Sequence, residues 1–106
     1  MARVLIVANG EWPEQFNFER SFNDYSQIIA LDGAANRLIE QGHLPDVIIG
    51  DLDSIEPSVL NDCKERGSQI VLDANQEQSD VSKGLNWAHE HHPTFQIYLI
   101  LSLIHI

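Results

Sequence analysis

Five short apolar runs, at residues 3–8, 27–31, 46–49, 69–72 and 95–101, limit the fold of this chain more than any other feature. The first four are closed by turn residues: Asn9-Gly10, Asp32-Gly33, Gly50-Asp51 and Asp73-Ala74-Asn75. Runs of this length, rich in Val and Ile, read as strands covered on both faces. Between them the pattern is helical. Residues 34–41 form one such stretch, stopped by Gly42. Residues 56–66 form a second, with Pro57 in its first turn, Gly67 after its end and Ser54 as its cap. A third, 79–90, is opened by Ser79 and carries Val81, Leu85 and Ala88 on one side, with Trp87 nearby. The mixed stretch 11–23 suits a short helix, because Phe18 and Phe22 lie four apart. Strands alternating with helices predict an α/β fold, a three-layer, Rossmann-like parallel sheet with helices on both faces. With 106 residues and 43% hydrophobic content, the chain has material for a single core, placed here at residues 1–101.

In such sheets ligands bind beyond the carboxyl ends of the strands. The acids and glycines of this chain collect there: Asp32-Gly33 after the second run, Gly50-Asp51 after the third, Asp73 after the fourth. Asp51 and Asp53 are separated by one residue. In a locally extended segment Leu52 points away and both carboxylates face one cation. Hard oxygen ligands of this kind suit Mg²⁺, which takes one or two protein carboxylates and shares the rest with substrate phosphates. A capped turn is the structural alternative for Asp-x-Asp alone, since Asp and Ser bond their own backbone in loops. At the start of the 34–41 helix, Gly33 permits close approach of a ligand, and the first amides are placed to hold a phosphate. Asp80 and Lys83 open the last helix, where an acid at the positive end of the dipole is also a sufficient structural reason for Asp80. No glycine-rich dinucleotide fingerprint and no Walker A loop occurs.

Three segments together resemble the thiamine pyrophosphokinase family: Asp32-Gly33-Ala34-Ala35-Asn36-Arg37-Leu38, Pro45-Asp46-Val47-Ile48-Ile49-Gly50-Asp51-Leu52-Asp53-Ser54-Ile55, and residues 76–83. Asn9-Gly10 matches the family's first turn. The resemblance covers nearly the whole chain but only the amino-terminal half of a family member. It implies a nucleotide-binding α/β domain of an enzyme that moves a pyrophosphoryl group from ATP, with Mg²⁺, to the hydroxyl of thiamine, giving thiamine diphosphate and AMP. Carried onto this sequence, it implies metal ligands at Asp32, Asp51, Asp53 and Asp80, with Asp51, Asp53 and Asp80 catalytic. It implies nucleotide contacts at Asn9, Gly10, Asp32, Gly33, Asn36, Gln76, Ser79 and Lys83. Ala34 stands where the family has a second glycine, and Ser79 where it has threonine. The resemblance also implies a cytoplasmic homodimer for the full-length protein, with thiamine between domains of two subunits. Residues 102–106 are expected to be a non-native or truncated tail, and the chain alone to bind Mg²⁺–ATP without turning over thiamine.

Other features bound the alternatives. A formal charge of −10, from 16 acids against 6 bases, argues against nucleic acid as a direct partner. No apolar run reaches membrane-spanning length. One cysteine, Cys63, expected on a helix face, allows no intrachain disulfide and fits a reducing compartment. His89, His91 and His92 with Glu90 read as a solvated helix end rather than a metal cluster. Two other functions suit the composition. One is a non-catalytic domain that binds Mg²⁺–nucleotide. The other is a receiver-like domain phosphorylated on a strand-end Asp, which would want paired acids where this chain has Asn9-Gly10.

Overall fold

A computed structural model describes residues 3–8, 25–40, 42–73, 79–91 and 96–100, with the backbone alone at 80 and 96–100. The helix expected at 11–23 and the tail expected at 102–106 lie outside these residues. Five parallel strands form one sheet: β1 (Arg3–Val7), β2 (Gln27–Leu31), β3 (Val47–Gly50), β4 (Gln69–Leu72) and β5 (Gln96–Ile100). Their order is β4-β3-β2-β1-β5. Three helices follow strands two to four: α1 (Ala34–Glu40), α2 (Pro57–Glu65) and α3 (Asp80–His91).

Successive strands step outward from β1 to β4, and the chain then crosses back through α3 to set β5 on the other side of β1. This is the Rossmann-like order. In the flavodoxin-like order of receiver domains, β1 lies between β2 and β3. Here it lies between β2 and β5, so the receiver-like reading fails on topology.

Alternate residues of each strand go to opposite faces. On one face Leu5, Val7, Ile28, Ala30 and Ile48 pack under Ala34, Ala35 and Leu38 of α1 and Cys63 of α2. On the other, Val4, Ile6, Ile29, Leu31 and Ile49 pack under Ala88 of α3, with Val81 and Trp87 at the margin. Each fully buried Leu or Ile contributes about 1.5–3 kcal/mol, and Leu5, Ile6, Ile29, Leu31, Leu38, Ile48 and Ile49 all reach that state. These two layers of contacts fix the sheet between helices and hold its carboxyl end rigid.

Several local expectations change. The fourth run is not covered on both faces: β4 is an edge strand, and Leu72 is 67% exposed. Ser54 does not cap α2; the cap position is Glu56, which makes no side-chain cap bond. Ser79 does cap α3, its Oγ accepting from the amide of Ser82 at 3.2 Å. On α3, Leu85 is exposed and Gly84 takes the place expected for it. The sheet comes too close there for a side chain, since a Cβ on Gly84 would lie 2.6 Å from Leu31 Cδ2. Cys63 lies on α2 as expected, on the inward face and buried in the core, where loss of water pushes its thiol pKa up.

Candidate functional site

Parallel pairing puts the ends of β2, β3 and β4 side by side, so Asp32, Asp51 and Asp73 emerge at one edge of the sheet. The amide of Asp32 donates to the carbonyl of Ile49 at 2.9 Å, and that of Asp73 to the carbonyl of Gly50 at 2.8 Å. These bonds extend the ladders into the loops and fix each acid relative to its neighbour. Gly50 ends β3 at φ 146, a region open to glycine. A Cβ there would also meet Asp32 Cβ at 3.1 Å, so the glycine lets the two loops close on each other.

Asp32 is 3% exposed and its carboxylate is held by backbone. Its Oδ1 accepts from the amides of Ser54 and Ile55, both at 3.1 Å. The Asp51 carboxyl adjoins it. Burial, followed by the interaction with Asp51, lifts the Asp32 pKa from 3.8 to about 6, against the pull of the two amides. The interaction with Asp32, with the Asp53 amide and the charge of Lys83, holds Asp51 below the usual carboxylate range. The buried partner is the one that holds its proton to higher pH, because the exposed one keeps its charge at lower cost.

The segment from Asp51 to Asp53 is not extended. Leu52 lies in the left-handed region at φ 66 and packs against the core, and the amide of Asp53 donates to Asp51 Oδ1 at 3.1 Å. The two acids are brought together by this turn and not by strand alternation. Burial of Leu52 is the reason: an extended path would leave it in water.

A divalent cation fits the Asp32–Asp51 pair. Two adjoining carboxylates cannot both ionise cheaply without a counter-charge, and here they offer oxygen donors alone. Among the described residues no group of three or more Asp, Glu, His or Cys side chains is arranged to hold a metal. Mg²⁺ needs no more than one or two such ligands when phosphate and water complete its shell.

The other expected site residues fall as follows. Gly33 is buried in the turn before α1. Two amides of the first turn of α1 are already engaged, Ala35 with Asp32 O and Asn36 with Gly33 O, both at 3.1 Å, so those two are not offered to a phosphate. Asn36 spends its amide on the neighbouring loop. Lys83 is buried and donates from Nζ to Asp73 O at 2.8 Å, which seats the start of α3 over the end of β4. Ser79 is exposed at that start, and Asp80 follows as the first helical residue. Asn9, Gly10 and Gln76 lie outside the described residues, as does the side chain of Asp80. His91 stacks on Trp87 with ring centroids 4.0 Å apart, as befits a helix end. His92 is outside the described residues. Beside Lys83, a cleft of about 290 Å³ is lined by Asp73, Asn86, Trp87 and Glu90, residues the sequence gave no reason to group.

Fold and site together define an α/β domain with paired carboxylates at the carboxyl ends of adjacent parallel strands. The chain belongs to the family of the thiamin pyrophosphokinase catalytic domain, whose model matches residues 18–105. It is 31% identical over 99 residues to thiamine pyrophosphokinase 3 of Oryza sativa subsp. japonica, covering 77% of this chain and 36% of the rice protein. It is 34% identical over 64 residues to 6-hydroxymethyl-7,8-dihydropterin pyrophosphokinase of Methanocaldococcus jannaschii, covering 60% of this chain and 26% of that protein. The crystal structure of thiamin pyrophosphokinase from Candida albicans superposes with a TM-score of 0.79 at 27% identity, over 88% of this chain and 33% of that one. The chain therefore spans about a quarter to a third of the length of these relatives.

Proposed function

We propose that this chain is the metal- and nucleotide-binding domain of an enzyme that transfers a pyrophosphoryl group from ATP to the hydroxyl of thiamine, giving thiamine diphosphate and AMP. The observation that carries the reading is the Asp32–Asp51 pair, set side by side at the ends of two adjacent parallel strands. Asp32 and Asp51 would hold Mg²⁺, with Asp53 and Asp80 beside them. When bound, Mg²⁺ supplies neutralisation of the polyphosphate charge. Phosphoryl-type transfer depends on positioning and charge stabilisation more than on covalent chemistry. Here the protein's part is to fix carboxylates. Asp32 is fixed by two amides, and Asp51 by the Asp53 amide. Asp51, Asp53 or Asp80 would orient the acceptor hydroxyl or take its proton. Asn9, Gly10, Gly33, Gln76, Ser79 and Lys83 would surround the nucleotide, Lys83 keeping the α3 start in place. The full-length enzyme is assigned to a cytoplasmic homodimer on its likeness to the family; no helix of the described residues is long and apolar enough to cross a membrane.

Calorimetry of Mg²⁺–ATP binding tests the site. Asp51→Asn and Asp53→Asn should each weaken binding, and unchanged affinity in both would reject the assignment. Release of AMP with thiamine as acceptor, run beside 6-hydroxymethyl-7,8-dihydropterin, tests the substrate in a full-length form. The pterin is the acceptor to compare because the M. jannaschii relative is named for it.

A further inference from the structure

Asn36 is the third residue of α1, half-buried, one helical turn after Asp32. Its Nδ2 donates to the carbonyl of Ser54 at 3.0 Å, and its Oδ1 accepts from the amide of Glu56 at 3.0 Å. Both ends of the amide are therefore used on one loop, and the residue between its two contacts is Ile55. The amides of Ser54 and Ile55 are the ones that hold Asp32 Oδ1. A closed circuit results: Asp32 precedes α1, α1 carries Asn36, Asn36 grips residues 54 and 56, and the grip aims two amides back at Asp32.

The loop needs this help. Residues 51–56 form no helix or strand. Helix α2 begins at Glu56 without a side-chain cap, and its third position is Val59, which cannot reach back to the Glu56 amide as a Glu or Gln would. Asn36 does so from a different helix.

We infer that Asn36 is a positioning residue, not a ligand contact: it clasps loop 54–56 so that the loop's amides set the carboxylate of Asp32 for a divalent cation and its bound polyphosphate. This rests on the pyrophosphoryl-transfer reading above for the identity of the cation and nucleotide. Residues that orient metal ligands from outside typically change metal affinity by about 10- to 100-fold when removed.

The test uses the 106-residue chain. Calorimetry would measure ATP affinity with and without Mg²⁺ in wild type, Asn36→Ala, Asn36→Asp and Asp51→Asn, and NMR would follow hydrogen exchange of the Ser54, Ile55 and Glu56 amides. The expected result for Asn36→Ala is a loss of Mg²⁺-dependent affinity of at least about 10-fold, with faster exchange at Ser54 and Ile55 and no change for ATP without Mg²⁺. Asn36→Asp keeps the acceptor for Glu56 and lacks the donor to Ser54. It should lose affinity while Glu56 stays protected, and it stands in if the alanine variant does not fold. Asp51→Asn should lose affinity with all three amides unchanged. Wild-type affinity in both Asn36 variants overturns the inference. So does weakened binding with Ser54 and Ile55 still protected, which would make Asn36 a ligand contact. If wild type itself shows no Mg²⁺-dependent affinity, or Asp51→Asn matches it, the functional reading fails instead.

Discussion

Asp32 is the residue on which most constraints converge. It sits at φ 45, a left-handed conformation that Asp tolerates better than most side chains, and it is closed in by Gly50 on the next strand. Gly50→Ala should destabilise the domain by more than about 1 kcal/mol, because alanine can neither adopt φ 146 without strain nor avoid Asp32 Cβ. Urea unfolding would measure it, and a variant as stable as wild type would refute the close approach. A second prediction follows from the proton. Asp32 titrates at about 6 in the folded chain against an ordinary 3.8, so between those values the folded state holds a proton that the unfolded state has lost. Stability from this group is complete below pH 3.8 and is lost as pH rises through 6. Asp51 has the opposite shift, and its window lies below 3.8, so it does not cancel the effect. Asp32→Asn should remove this part of the pH dependence, read as the difference between wild-type and variant unfolding free energies from pH 4 to 7. A difference that is flat across that range would count against the raised pKa of Asp32.

At the scale of elements, α3 is set by a glycine and used through a lysine. Gly84 lets the helix touch the sheet, with Leu31 Cδ2 and Ile6 Cγ2 at 2.6 and 3.3 Å from where a Cβ would stand. The neighbouring Lys83 is thereby brought to Asp73 O. Gly84→Ala gains helix propensity of about 1 kcal/mol, but overpacking a fully buried Leu31 costs about 1–3 kcal/mol. The variant should be net destabilised, and Leu31→Val in the same chain should cost less than the sum of the single changes. Strict additivity would show that the helix does not rest on Leu31. These contacts also mark where sequence reading succeeds. Strand positions were legible because Val- and Ile-rich runs ended by Asp and Gly obey local rules, and strand ends then placed Asp32, Asp51 and Asp73 at one edge. The Gly84 stripe was not legible, since periodicity rewards Leu85 and is blind to how closely a sheet approaches. Asn36 was singled out as a nucleotide contact through a motif, but the partners it has are backbone groups at positions 54 and 56, which no side-chain pattern reveals. The same holds for the turn at Leu52, where a positive φ in a leucine contradicts propensity and is decided by burial.

On the scale of the whole molecule, the two core layers hold the sheet and leave acids at its carboxyl end, within a chain whose formal charge is −10. A polyanion approaching that edge unaccompanied meets like charge, and the buried Lys83 is already committed to Asp73 O. On the proposed function, attraction would be supplied by a cation seated on the carboxylates, and nucleotide binding should be metal-linked. Binding to the folded state alone stabilises it by about 2.7 kcal/mol when ligand exceeds its dissociation constant 100-fold. For a domain near this size each 1 kcal/mol moves the melting temperature by roughly 4–8 °C. Mg²⁺ and ATP together, at that excess, should then raise Tm by on the order of 10–20 °C. ATP in the presence of a chelator should leave it unchanged, and Mg²⁺ alone should give a smaller rise by relieving the Asp32–Asp51 pair. Differential scanning calorimetry of wild type and Asp51→Asn separates this from general charge screening. Screening by salt would raise both proteins alike, whereas the metal-linked rise should be lost in the variant. Equal shifts with ATP in magnesium and in chelator would mean that nucleotide is held elsewhere on the molecule and that the carboxylate pair is not its anchor.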